Sequence, residues 1–115
     1  MKLKMNIREV GEVTIVDLEG RIVIGEDMGN LRGAVLNILD GGKKKILLNL
    51  EEISFIDSTG VGQLVSSFVT ARNRAASLKL LKPRPIVKGV LGITQIDTVI
   101  PSFAEEQMAI TSFSP

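Results

Sequence analysis

Apolar and polar residues alternate from Lys4 to Val10 and again from Val13 to Glu19, with Gly11-Glu12 between the two runs. A period of two marks a half-buried strand, and a two-residue break containing glycine joins two such strands as an antiparallel hairpin. Gly20-Arg21-Ile22-Val23-Ile24-Gly25 follows as a glycine-bounded apolar link. The period then changes. Met28, Leu31, Val35, Ile38 and Leu39 recur at helical spacing and stop at Asp40-Gly41-Gly42, where glycine supplies the left-handed geometry of a helix end.

Ile46-Leu47-Leu48-Asn49-Leu50 is almost continuously apolar, as a central strand covered on both faces is, and such a strand after a helix predicts parallel pairing. Beyond Asp57-Ser58-Thr59-Gly60 the spacing predicts a helix to about Ala75. Its apolar stripe is Val61, Leu64, Val65, Phe68 and Val69, with Gly62, Gln63, Ser66, Ser67 and Thr70 opposite. Leu78-Lys79-Leu80-Leu81 reads as a short strand; Pro83 and Pro85 break it, and Ile86, Val87, Val90 and Leu91 fit a short helix from near Pro85. Val99-Ile100 reads as a last extended piece. Ser102-Phe103-Ala104-Glu105 has capping-box spacing, which predicts a C-terminal helix from about Phe103 to Ile110. The sum is a single α/β domain over residues 1–115, a mixed sheet of four to five strands with about four helices packed against it.

Composition narrows the chemistry. At 115 residues and 44% hydrophobic, with mean hydropathy +0.27, the chain has apolar material for one core and is too apolar for disorder. Fourteen Lys and Arg against thirteen Asp and Glu leave a net charge of +1, without the basic field of a nucleic-acid binder. Lys43-Lys44-Lys45 reads as a solvated lead-in to the following strand. Cysteine is absent, so disulfides, thiolate metal sites and thiol catalysis are excluded, and a cytoplasmic setting fits. No stretch approaches the ~20 apolar residues of a membrane span, and the alternating N-terminus has the form of neither a signal peptide nor an anchor.

Histidine, tryptophan and tyrosine are absent too. Without imidazole there is no Ser-His-Asp triad, no histidine-bearing zinc site and none of the commonest general base near neutral pH. No metal or cofactor is expected. The pairs Glu51-Glu52 and Glu105-Glu106 are adjacent in sequence, point in different directions and read as solvated charges; Gly89-Val90-Leu91-Gly92 lacks the spacing of a phosphate loop. The scattered methionines, Met1, Met5, Met28 and Met108, suggest ordinary core or surface positions.

Asp57-Ser58-Thr59-Gly60 remains as the chemical centre of the sequence. At a helix N-terminus any of Asp57, Ser58 and Thr59 can act as the cap, worth about 1 kcal/mol. Small residues around it (Gly60, Gly62, Ser66, Ser67) leave a flat surface that a partner can approach. A phosphoryl group on Ser58 would add about −1.5 to −2 charges beside Asp57, at a place where the helix dipole favours anions.

The stretch Ile46 to Val69, Ile-Leu-Leu-Asn-Leu-Glu-Glu-Ile-Ser-Phe-Ile-Asp-Ser-Thr-Gly-Val-Gly-Gln-Leu-Val-Ser-Ser-Phe-Val, resembles the signature of STAS domains, specifically the bacterial anti-sigma factor antagonists. Element order extends the resemblance over nearly the whole chain. It implies a non-enzymatic protein whose unphosphorylated form binds an anti-sigma factor and frees a sigma factor. It also implies an anti-sigma factor that is a serine kinase acting on Ser58, with Thr59 as a second hydroxyl, and a PP2C-type phosphatase that reverses the step. Asp57, Thr59, Gly60, Gly62, Gln63 and Ser66 are the candidate partner-binding residues, with no direct contact to nucleic acid or membrane and the oligomeric state open. Many members carry an acidic residue in the preceding strand where this chain has Asn49; read by itself, Asn49 is a strand amide paired with loop backbone. Two other readings stand beside this one. The first is an interaction module of the same fold without a phospho-switch, in a stress-signalling or transporter-associated assembly. The second is a nucleotide- or phosphate-binding domain, which the missing Walker lysine opposes.

Overall fold

The computed structural model describes residues 3–24 and 29–114, so Met1, Gly25 and Met28 lie outside the described residues. The strands are β1 (Lys4–Val10), β2 (Val13–Ile22), β3 (Lys45–Ile56), β4 (Ser77–Leu81) and β5 (Ser102–Phe103). The helices are α1 (Gly29–Asp40), α2 (Ser58–Asn73), α3 (Pro85–Ile93) and α4 (Glu106–Ser112), with a 3-10 turn at Ile96–Thr98. The sheet runs β1-β2-β3-β4-β5; the first pair is antiparallel and the others are parallel.

The predicted hairpin is present, closed by the pair Val10↔Val13 with Gly11 at φ +60 in the turn. Both central strands outrun their predicted ends. Part of the apolar link belongs to β2, which continues through Gly20 to Ile22, and β3 continues past Leu50 to Ile56. Two register shifts, after Asp17 and after Gly20, keep the strands paired as far as Ile22↔Ile56. They leave Glu51 and Glu52 both exposed and return Ile53 and Ile56 to the core, which breaks the alternation that would mark a strand in the sequence.

β3 is buried on both faces, as its apolar run requires. Ile46, Leu48 and Leu50 join Val16, Leu18, Leu64, Leu78, Leu80 and Val87 in the large core under α1, α2 and α3. Leu47 faces the other way with Val13, Ile15 and Leu81, beneath Ala109 and Phe113 from α4 and its end.

α2 is turned relative to the predicted stripe. Its buried line is Gly60, Val61, Leu64, Ser67 and Ala71, while Val69 is 46% exposed. Small side chains at 60, 67 and 71 let the helix lie close on its neighbours, so the packed face is less apolar in sequence than the one beside it. Ser67 is therefore inside, and its Oγ has no hydrogen-bond partner among the described residues.

The C-terminal region departs most from expectation. Val99-Ile100 is not extended: the amides of both residues donate to the Ile96 carbonyl at 2.9 Å. The extended piece is Ser102–Phe103, held against β4 by Leu80 N–H to Pro101 O at 2.9 Å and Lys82 N–H to Phe103 O at 2.7 Å. Pairing with β4 takes Ser102 out of reach of a capping role. α4 begins at Glu106, and Glu105 at its N-cap makes no side-chain cap bond.

Glu106 is a half-buried, paired charge, not a freely solvated one. It accepts from Arg8 Nη1 at 3.1 Å and Nη2 at 2.6 Å, while Arg8 also donates to Asp17 through Nε at 2.7 Å and Nη2 at 3.2 Å. Glu51 and Glu52 are exposed charges, as expected, and also lie near cations, Lys82 at 3.8 Å and Arg84 at 3.2 Å. Of the lysine run, Lys43 lies 3.3 Å from Glu9 and Lys45 lies 3.4 Å from Glu12. Asn49 is half-buried and pairs within the sheet, not with loop backbone: its side-chain oxygen accepts from the amide of Glu51 in β3 at 3.1 Å, and its amide donates to Asp17 Oδ1 at 2.8 Å. An acid at this position would bring a second carboxylate against Asp17.

Asn49→Asp is therefore expected to destabilise the domain by about 1–3 kcal/mol at neutral pH, because a donor becomes a like charge. Urea unfolding at pH 7 and at about pH 4 checks this, since the deficit should shrink as the carboxylate pair takes up a proton. An unchanged midpoint at pH 7 would count against the pairing.

Candidate functional site

One residue, Asp57, separates β3 from α2. Its backbone is extended (φ −103, ψ −178), and its amide donates to Ile22 O at 3.3 Å, so the turn is fastened to the end of β2. The two carboxylate oxygens do different work. Oδ1 accepts from Gly60 N–H at 2.8 Å, closing the first turn of α2, and Oδ2 accepts from Ile24 N–H at 3.0 Å, holding the chain as it leaves β2. The Ile24 and Gly60 amides hold the Asp57 carboxyl below its ordinary value of 3.8.

Of the three residues able to cap, Asp57 is the one that does. Ser58 and Thr59 follow as the first two helical residues; both are exposed, and neither hydroxyl makes a hydrogen bond among the described residues. Gly60 is buried beneath them. A Cβ there would lie 1.9 Å from Ile22 O and 2.8 Å from both the Ile22 carbonyl carbon and Ile56 Cγ1, so only glycine fits. Gly62 is exposed, and a Cβ there would meet nothing within 4 Å.

Gln63 and Ser66 are half-buried, and the Gln63 side-chain oxygen is enclosed without a partner among the described residues. The structure thus brings Asp57, Ser58, Thr59 and Gly62 to one open helix start. It sets Gln63 and Ser66 further along α2 and turns Ser67 inward. Sequence reasoning missed Ile24, which is 73% exposed and tied to Asp57 through its amide. The only signal was its place in the apolar link, 33 positions away from its partner.

A family model for the STAS domain matches residues 4–109, from the start of β1 into α4. The chain belongs to the STAS domain family. Among solved structures, an anti-sigma factor antagonist from Mycobacterium paratuberculosis superposes with TM-score 0.84 at 14% identity, covering 96% of this chain and 93% of that one. The Bacillus cell fate determinant SpoIIAA in its phosphorylated form gives TM-score 0.72 at 23% identity, covering 96% of this chain and 100% of that one. The murine Solute Carrier 26 family member A9 anion transporter, inward-facing, gives TM-score 0.76 at 15% identity over 90% of this chain, a match to 18% of the transporter. At these identities the likeness is one of fold. In this STAS domain the β3–α2 junction is a capped helix start with two exposed hydroxyls that make no hydrogen bond among the described residues.

Two glycines in the site should respond oppositely. Gly60→Ala is expected to destabilise by about 3 kcal/mol or more, through overpacking against backbone, and Gly62→Ala to stabilise by about 0.5–1 kcal/mol, through helix propensity; urea midpoints measure both. The carboxylate of Asp57 has a depressed folded pKa, so its charge stabilises above the unfolded value of 3.8 and that contribution is lost as pH falls through the folded one. Asp57→Asn, which still caps, should therefore melt below the wild type at neutral pH, with the gap closing as the pH falls below 3.8 and through the depressed folded value.

Proposed function

We propose that this STAS domain is an anti-sigma factor antagonist whose binding is switched off by phosphorylation of Ser58. The observation that carries the reading is the state of the Ser58 hydroxyl. Asp57 holds the cap, so Ser58 is left exposed and unengaged at the first position of α2. A kinase can transfer a phosphoryl group to Oγ without breaking a native hydrogen bond.

The unmodified domain, spanning residues 1–115, binds the anti-sigma factor and so releases a sigma factor. The anti-sigma factor acts as the serine kinase, and a PP2C-type phosphatase restores the hydroxyl. The domain is the substrate of this chemistry and not an enzyme; it works in the cytoplasm without contacting nucleic acid or membrane. Asp57, Thr59, Gly62, Gln63 and Ser66 form the partner face, with Gly60 shaping it from below. Thr59 is the secondary hydroxyl.

Energetics support a switch of this kind. A phosphate at the α2 N-terminus interacts with the helix dipole by about 0.3–1 kcal/mol in its favour, which offsets part of the repulsion from Asp57. Burying the same dianion at an interface without new cations costs several kcal/mol. A loss of about 3 kcal/mol lowers affinity roughly a hundredfold. The modification is therefore mild for the fold and severe for the complex.

The likeness to a domain of an anion transporter favours a second reading, a STAS interaction module with no phospho-switch. Direct nucleotide binding at the turn is disfavoured, because the Gly60 N–H that a phosphate would need is occupied by Asp57.

Ser58→Asp is expected to weaken binding to the anti-sigma kinase about a hundredfold while circular dichroism and melting stay near the wild type. Ser58→Ala should bind and resist inactivation by ATP. Calorimetric titration of the three proteins decides the matter, and equal affinity for Ser58→Asp and wild type would leave the module without a switch.

A further inference from the structure

α4 is attached to the sheet differently from the other helices. It is seven residues long, too short to hold itself together in isolation, and Ala109 is its only buried residue, with Phe113 just beyond its end. Its first residue, Glu106, is gripped by both terminal nitrogens of Arg8 on β1, whose guanidinium is in turn seated on Asp17 of β2. Asn49 of β3 braces Asp17, and Lys82 beyond β4 adds a favourable field at Glu106. The far end is held by Lys79 of β4, whose ammonium donates to Ser112 O and Oγ at 3.0 Å and sits 4.6 Å from the centroid of the Phe113 ring.

Both ends are thus fixed by charged groups. The Arg8, Asp17 and Glu106 side chains are about a third exposed (35%, 29% and 33%), so water and salt reach the clamp. Beneath lie Val13, Ile15, Leu47 and Leu81, an apolar cluster separate from the main core. Losing α4 would uncover that cluster and leave the packing under α1, α2 and α3 untouched.

We propose that α4 is a lid latched by the Arg8–Glu106 clamp, and that it lifts from the sheet as a unit while the rest of the domain stays folded. The latch is at the N-terminal end of α4, and once it is released the helix is held only by the Lys79–Ser112 contact and by the packing of Ala109 and Phe113. Fraying from the far end would leave Glu106 in place and would not respond to it.

β3 offers a direct probe because adjacent residues face opposite sides and the chain has no cysteine. Leu47 lies under α4 and Leu48 lies in the main core, each 0% exposed. Leu47→Cys and Leu48→Cys, each confirmed folded by circular dichroism, are mixed with a thiol reagent under native conditions. Lid opening predicts that Leu47→Cys reacts at least about tenfold faster than Leu48→Cys, because sub-global opening exposes only one of them. Adding Glu106→Gln, or raising salt to about 0.5 M, should speed the reaction of Leu47→Cys roughly fivefold or more. One common rate for both thiols overturns the lid, and a rate indifferent to Glu106→Gln and to salt overturns the latch.

Hydrogen exchange on the unmodified protein gives a check free of core substitutions. The Ala109 and Phe113 amides should exchange faster than those of Leu47 and Leu48, with little dependence on denaturant. A shared rate and a shared denaturant slope would overturn the proposal.

Discussion

The turn between β3 and α2 depends on the Asp57 carboxylate. One oxygen starts α2 through Gly60 and the other fixes the exit of β2 through Ile24, so a single side chain joins three elements. Close approach makes this possible. Gly60 lies against the Ile22 carbonyl with no room for a methyl group, and the parallel pairing of β2 with β3 runs as far as Ile22↔Ile56 to bring the pieces together. The cap bond is worth about 1 kcal/mol, whereas the steric demand at Gly60 is larger, so position is set by packing and the carboxylate sets direction.

Much of this was legible because it is local. The hairpin, the glycine stop after α1, the doubly buried centre of β3 and the start of α2 each follow from a short run of residues acting on its own backbone. The facing of α2 was less legible: the packed line uses Gly60, Ser67 and Ala71, and the neighbouring line of larger apolar residues outweighs it in any hydrophobic pattern. At the C-terminus a local signal lost to a distant one. The Ser-x-x-Glu spacing predicted a cap at Ser102, but β4 recruits that residue into β5. Contacts that span the chain left no local trace; Ile24 meets Asp57 across 33 positions and Arg8 meets Glu106 across 98.

The two faces of the sheet divide the chemistry. α1, α2 and α3 cover one side with a large apolar core, and the Ser58 turn stands at its edge. The other side carries a small core and a chain of charged bonds from Asn49 through Asp17 and Arg8 to Glu106. Asn49 belongs to this second system. The Arg8 guanidinium, aided by the Asn49 amide, holds the Asp17 carboxyl below its usual range, so the negative charge in this part of the sheet belongs to Asp17. An amide in β3 donates to the neighbouring carboxylate where an acid would repel it, which gives a structural reason for Asn49 in this chain.

The division also bears on where an added charge at Ser58 would go. The amides best placed to receive an anion at the α2 start are turned to Asp57: Gly60 donates to it at 2.8 Å, and Thr59 adds to the same field. A phosphoryl group on Ser58 would therefore find its strongest internal donor already in use. Repulsion from Asp57 would direct it outward, into solvent or into whatever surface lies opposite. A site that offered its own N–H groups would absorb the charge and hide it. The pre-emptive cap by Asp57 does the reverse, so the turn is suited to presenting a phosphate more than to binding one.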